Sequence, residues 1–453
     1  MELLQRLLNF DQTLWPEDNV SSNRLGWLPV IAEMTEMVDE LIEFEKSVPY
    51  SKVVLLGMGG SSLAPLVFYR SMVENGIDPK RTLTVCDTTH PKTVSEVDYT
   101  DALIIVSSKS GTTLEPNVLF DYAYSQVNDP KRFVAITDPN TALNELAQKK
   151  GFLKIFTNRA DIGGRYSALS YFGLIPALLI GYDLKKLLLE TIKADKEAAV
   201  EFGKEFATSA INHKDKLTIK VPKSFESLGL WLEQLIAEST GKSNRGVVPV
   251  PTTEDETGPD RFNVSIQINN IYDLGKIFYS WEISTAIAGH VLQIDPFNEP
   301  NVAESKANTN TVLESLPITF PPAHNPTSVI DFLKGTVVQG DYISIQAYLP
   351  YGMDRELAEL RTKIKSLFLD NAVTVGFGPR FLHSTGQLHK GGANNVVVLQ
   401  IVDENSYDSV AIPSKPYDFN TLISAQSIGD YQSLIKHERR VIRVSVTDLS
   451  EIS

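Results

Sequence analysis

The chain has 453 residues and is 42% hydrophobic, enough apolar content for two or three packed domains. Its 42 basic and 56 acidic side chains leave a net charge of −14, which disfavours nucleic acid and anionic membranes and means that any site for an anionic ligand must be locally built. No apolar run is long enough to span a bilayer, and the opening Met-Glu-Leu-Leu-Gln-Arg lacks a basic-then-apolar leader pattern. With Cys86 as the single cysteine no internal disulfide can form, so a cytoplasmic setting is expected.

Residues 1–50 read as an amphipathic helical arm. Lys52-Val-Val-Leu-Leu-Gly57 is an apolar run closed by glycine, the pattern of a buried parallel strand, and helical spacing follows from Leu63. Leu83-Thr-Val-Cys-Asp87, Ala102-Leu-Ile-Ile-Val106 and Phe133-Val-Ala-Ile-Thr137 repeat the theme. This alternation predicts an α/β fold with a doubly wound parallel sheet over 51–195, whose ligands bind at the carboxyl ends of the strands.

The pattern restarts at Leu217-Thr-Ile-Lys-Val221. A helix is predicted over 225–239, strands at Val247-Val-Pro-Val250 and Val264-Ser-Ile-Gln-Ile268, and a helix over 276–289. These make a second, smaller sheet domain over 196–320. Pro321-Pro322 and Asn325-Pro326 mark a linker. Beyond it, strands at 342–346, 372–376, 396–402 and 440–446 and a helix over 355–368 predict a mixed α+β unit filling 321–453.

Four segments carry the chemistry. Gly57-Met-Gly-Gly60-Ser61-Ser62 joins a strand to a helix, where glycines let backbone amides approach an anion and the helix N-terminus adds a positive field. Glycine turns are common in such sheets, so this signal is weak alone. Ser107-Ser108-Lys109-Ser110-Gly111-Thr112-Thr113 is stronger: five hydroxyl residues cluster at one strand end, whereas a simple N-cap needs one. Asp161-Ile-Gly-Gly-Arg165-Tyr-Ser167 sets an arginine beside exposed backbone, able to hold an oxyanion or merely a surface ion pair. In Gln234-Leu-Ile-Ala-Glu238-Ser-Thr-Gly-Lys242, Gln234 and Glu238 share a helix face, and a carboxylate among apolar neighbours is a candidate base.

In this order the segments resemble the phosphoglucose isomerase family. The matching patterns are Gly-x-Gly-Gly-Ser, Ser-Lys-Ser-Gly-Thr-Thr-x-Glu, Gly-Gly-Arg-Tyr-Ser and Glu-Ser-x-Gly-Lys. Asp295-Pro-Phe-Asn-Glu-Pro-Asn-Val302-Ala-Glu-Ser-Lys306 looks like that family's late segment, which ends in a catalytic lysine. The likeness runs from about Asn23 to Lys306. The tail, Phe381-Leu-His-Ser-Thr-Gly-Gln-Leu-His-Lys390-Gly-Gly, looks like the isomerase half of fused transaldolase–isomerases.

The resemblance implies two flavodoxin-like sugar isomerase (SIS) domains plus the C-terminal α+β unit. It further implies glucose-6-phosphate isomerase activity, with no metal and no cofactor. Gly60, Ser61, Ser108, Lys109, Ser110 and Thr113 would hold the sugar phosphate, and Gln234 would position the substrate. Glu238 would move the proton between C2 and C1, Arg165 would stabilise the enediolate, and Lys306 would assist ring opening. Glu299 stands where the family commonly has glutamine, a departure expected to alter contacts near the phosphate.

The family's ring-opening histidine is missing from its usual interval, where only His290 occurs, at the end of an apolar helix. His383 or His389, on a glycine-flanked loop, is expected to supply it, in cis or in trans across a homodimer. The partner is a small sugar phosphate, with a functional link to a transaldolase left open. Three rivals stand beside this reading: a non-catalytic phosphosugar sensor, which would need neither Glu238 nor Lys306; an amidotransferase isomerase half, which would want a glutaminase; and a dual glucose/mannose phosphate isomerase.

Overall fold

The apolar runs become strands of three parallel sheets. The computed structural model describes residues 2–16, 24–404, 407–446 and 448–452, so Met1 and Asn23 lie outside it. The first sheet contains β1 (Lys52–Leu56), β2 (Thr82–Cys86), β3 (Ala102–Ser107), β4 (Phe133–Thr137) and β5 (Lys154–Thr157), in the order β2-β1-β3-β4-β5. Every residue of β3 is buried. Its side chains alternate between two cores: Leu103 and Ile105 pack with Phe68 and Leu174, while Ile104 and Val106 pack with Val118 and Leu119. Helices must therefore cover both faces, as a continuous apolar strand requires. The winding reverses between β1 and β3, which opens a crevice at their carboxyl ends.

The second sheet is smaller. It has three strands, β6 (Lys216–Lys220), β7 (Val248–Thr252) and β8 (Arg261–Ser265), in the order β7-β6-β8. The helix Leu228–Thr240 follows β6, and the helix Asp273–Leu292 follows β8. The latter is buried along most of its length and receives the N-terminal arm. There Trp15 Nε1 donates to the Ala286 carbonyl at 2.9 Å, and the His290 ring meets the Leu14 carbonyl. His290 is thus structural.

The last unit departs from the mixed α+β expectation. Its strands are β9 (Tyr342–Tyr348), β10 (Ala372–Phe377), β11 (Val396–Val402) and β12 (Arg440–Ser445), in the order β10-β9-β11-β12. All three pairings are parallel. The reason lies in connections the apolar runs did not reveal. A helix Phe419–Lys436 crosses over between β11 and β12, and parallel neighbours require such a crossover. The winding matches the first four strands of the first sheet. Among the described residues, no helix is long and apolar enough to cross a membrane.

Candidate active site

The two hydroxyl-rich turns meet at the crevice between β1 and β3. Ser107 Oγ donates to the Ser61 carbonyl at 3.0 Å, locking one turn to the other. Glycine is needed at two points of the first turn. At Gly59, with φ of +54°, a Cβ would lie 2.7 Å from Gln234 Nε2 and from the His383 carbonyl. At Gly60 it would lie 1.9 Å from the Gly164 carbonyl. The turn thus presses against the segments bearing Gln234, His383 and Arg165 at distances no side chain permits.

In the second turn, Ser108 Oγ accepts from the Gly111 amide at 3.2 Å. Ser110 Oγ accepts from the Thr112 amide and hydroxyl at 3.3 and 3.1 Å and lies 3.4 Å from Thr113 Oγ1. Ser110 is exposed, Thr113 is half-buried, and the Thr113 side chain makes no capping bond to the helix Leu114–Val127 that it precedes. Hydroxyls therefore crowd the positive end of a helix. Lys109 is engaged elsewhere, pairing with Asp138 and donating to the Ala160 carbonyl at 3.1 Å.

Glu238 and Arg165 face each other behind these turns. Glu238 sits in the last turn of the helix Leu228–Thr240 and is 8% exposed. Arg165 Nη1 lies 2.8 Å from Glu238 Oε1 and 3.5 Å from Glu299 Oε2. The guanidinium is aimed by backbone: Nε and Nη2 donate to the Pro296 carbonyl at 3.2 and 3.0 Å, and Nη2 to the Asn298 carbonyl at 2.8 Å. Lys242 ties the same segment, donating to the Asp295 carbonyl at 2.6 Å and to Asn298 Oδ1 at 2.8 Å. Burial pushes the Glu238 carboxyl above its usual range; Arg165 opposes this and the Glu299 charge adds to it. Removing that like charge by Glu299→Gln is expected to move the acid limb of the kcat/KM–pH profile to lower pH, because Glu238 then ionises more easily. An unmoved limb would show that Glu238 does not set it.

Gln234 bridges Glu238 to the tail. Its Nε2 donates to Glu238 Oε2 at 3.1 Å and to the His383 carbonyl at 2.9 Å. The His383 ring Nε2 lies 3.0 Å from Glu115 Oε1, and the same oxygen accepts from Gln426 Nε2 at 2.8 Å. Glu115 is buried, which alone would raise its carboxyl; the His383 charge and hydrogen bond, a backbone hydrogen bond and the Lys306 charge together hold it below the usual range. Lys306 is exposed on the helix Val302–Glu314, its charge within reach of Glu115.

His389 does not join this cluster. It is buried against the third sheet, 3.3 Å from Ser344 Oγ and 3.0 Å from Gln346 Nε2, and burial pushes its imidazole down to about 3. The segment carrying both histidines is also no flexible loop. It forms a short turn of helix, Arg380–His383, and a buried helix, Gly386–Gly391. Gly386, Gly391 and Gly392 all lack positive φ. At Gly391 a Cβ would lie 2.4 Å from Asn301 Oδ1 and 2.7 Å from the Gly241 carbonyl, so this glycine serves close packing. Gln387 secures that contact, donating to the Gly241 carbonyl at 2.8 Å and accepting from the Asn301 amide at 2.9 Å. Glu115 and Gln426 were missed as site residues. Glu115 does close the Ser-Lys-Ser-Gly-Thr-Thr-x-Glu pattern, whereas Gln426 has no local signal.

Residues 45–244 match the family model described as Phosphoglucose isomerase. The glucose-6-phosphate isomerase of Campylobacter jejuni is 31% identical over 243 residues, which are 50% of this chain and 59% of that protein. That of Mycoplasmoides gallisepticum is 31% identical over 256 residues, 51% of this chain and 60% of that one. The chain thus matches 59% and 60% of the length of these two relatives. A glucose-6-phosphate isomerase of Staphylococcus aureus is 25% identical over 400 residues, 67% of this chain and 89% of that protein. Among solved structures, a glucose-6-phosphate isomerase from Chlamydia trachomatis shares the fold with a TM-score of 0.53 at 18% identity, over 70% of this chain and 79% of that one. With its ordered motifs gathered at one crevice, the chain is similar to the phosphoglucose isomerase family over residues 45–244.

Proposed function

We propose that the chain interconverts glucose 6-phosphate and fructose 6-phosphate through an enediolate. The observation that carries this reading is Glu238, a buried carboxylate 2.8 Å from Arg165 and 3.1 Å from Gln234. The phosphate sits on Gly60, Ser61, Ser108, Ser110 and Thr113 at the helix N-terminus, with Lys109 lending its charge from the Asp138 pair. His383 and Lys306 open the ring, one protonating the ring oxygen while the anomeric hydroxyl loses its proton. Glu238 then takes the C2 proton, made acidic by the C1 carbonyl, and returns it to C1. The charge that gathers on the enediolate oxygens is held by Arg165, whose aim is set by the Pro296 and Asn298 carbonyls before the substrate arrives. The choice of His383 over His389 is supported by its contact with Glu115 and by its carbonyl's bond to Gln234. Both contacts lie within one chain, which supports action in cis. The single, buried Cys86 supports a reducing, cytoplasmic setting.

A coupled assay with glucose 6-phosphate tests the reading directly, and lack of turnover would overturn it. Because the phosphate contacts position the reacting carbons, unphosphorylated glucose should be a poor substrate; comparable specificity constants for the two would refute the phosphate role. Turnover should also persist in EDTA. The same assay with mannose 6-phosphate decides whether the C2 epimer is accepted.

A further inference from the structure

Asp87 lies at the carboxyl end of the first sheet, just beyond β2, and is fully buried. Its carboxylate is saturated by groups from three segments. Oδ2 accepts from Ser62 Oγ at 3.2 Å and from Arg380 Nε at 2.8 Å. Oδ1 accepts from Arg380 Nη2 at 2.8 Å and from Tyr351 Oη at 2.7 Å. The Arg380 guanidinium also stacks on the Tyr351 ring, 4.6 Å from its centroid. None of these four residues belongs to the family patterns that assigned the site.

Their positions matter. Ser62 follows Ser61 in the phosphate turn. Arg380 begins the turn of helix Arg380–His383, so one turn of backbone separates it from the His383 imidazole. Tyr351 follows β9 and brings the third sheet to the same point. A single carboxylate therefore joins the phosphate turn, the histidine turn and the third sheet. From the opposite side, Gln234 and Glu115 hold His383 by its carbonyl and ring.

We propose that Arg380, clamped on Asp87, is a positioning residue that sets the register of His383 against the bound sugar, so that phosphate binding and ring opening share one rigid frame. The inference rests on the isomerase reading. A bidentate guanidinium–carboxylate pair fixes both distance and plane, which an ammonium cannot do. Removing either charge outright would leave the other buried and unpaired, and the protein could then fail to fold. The informative variants are therefore Arg380→Lys, which keeps the charge and loses the fork, and Tyr351→Phe, which keeps the ring and loses one donor.

In Arg380→Lys, kcat on glucose 6-phosphate should fall about 10- to 100-fold, the usual consequence of an ångström-scale misplacement. KM should be unchanged. Exchange of the C2 proton in an acyclic analogue lacking the 5-hydroxyl should also be unchanged, because Glu238 and Arg165 do not move. Tyr351→Phe should show the same split in smaller measure. Equal losses on the closed-ring and acyclic substrates, or no loss on either, would overturn the proposal. Failure of the wild-type protein to turn over glucose 6-phosphate would instead sink the isomerase reading. In that event a crystal structure of Arg380→Lys decides the clamp: the His383 contacts with Glu115 and Gln234 should be lost, and their survival would overturn it.

Discussion

Replacing Glu238 with glutamine should remove isomerisation while leaving sugar-phosphate binding intact. The substitution preserves shape and can keep the contact with Gln234, but an amide cannot take a proton from C2. Loss of a general base typically costs about 100- to 10,000-fold in rate. Binding should survive because the residues proposed to hold the phosphate lie on the turns at 59–62 and 107–113, away from this side chain. Arg165 would lose its nearest carboxylate yet retain the Pro296 and Asn298 carbonyls and Glu299 at 3.5 Å. A thermal melt should therefore show a folded protein. Calorimetric titration with fructose 6-phosphate, beside the isomerase assay, checks both halves. Near-normal turnover in a folded Glu238→Gln protein would remove this residue from the mechanism.

The two histidines should separate sharply. His383→Ala should lose turnover of the closed sugar by about 100-fold or more, the range for loss of an acid–base group. Proton exchange from a pre-opened analogue should persist, since Glu238 and Arg165 stay in place. His389→Ala should behave in the opposite way. It strips Ser344 and Gln346 of their ring partner inside the third sheet, at about 1–3 kcal/mol for the buried groups left unpaired. Its catalytic rate per folded molecule should be normal. Single-turnover assays on open and closed substrates, with melts of both variants, read these outcomes. If both variants isomerise the closed sugar normally, the ring-opening acid lies elsewhere.

What was legible in the sequence follows from how local each signal is. The inner strands announced themselves because β1, β3 and β4 are buried on both faces and read as apolar runs. β5 was missed: it is short, lies at the sheet edge and has only Phe156 buried. The helix Phe419–Lys436 escaped for the opposite reason. It packs on several sides, so buried Leu422, Gln426, Asp430 and Ser433 blur any apolar stripe. The same burial hid Gln426 as a partner of Glu115. Glu115 itself sits in the first turn of a helix, where an acidic residue is ordinary. Glu238 and Arg165 were legible only through their motifs. Nothing near either in the sequence shows that the carbonyls of Pro296 and Asn298 would orient the arginine.

The contacts at the crevice between distant parts of the chain also govern how the protein acquires its native state. His383 meets a residue 268 positions earlier in the chain, and Gln234 meets the His383 carbonyl across 149 positions. The N-terminal arm closes on the helix Asp273–Leu292 across 271. Contacts of such sequence separation form late, since the chain must lose loop entropy before they return any stabilisation. The turns proposed to bind phosphate belong to a local α/β unit and can be native early, whereas the proposed ring-opening corner exists only after the third sheet docks. During refolding from denaturant, sugar-phosphate binding should therefore recover before isomerase activity, with a time lag equal to the docking step.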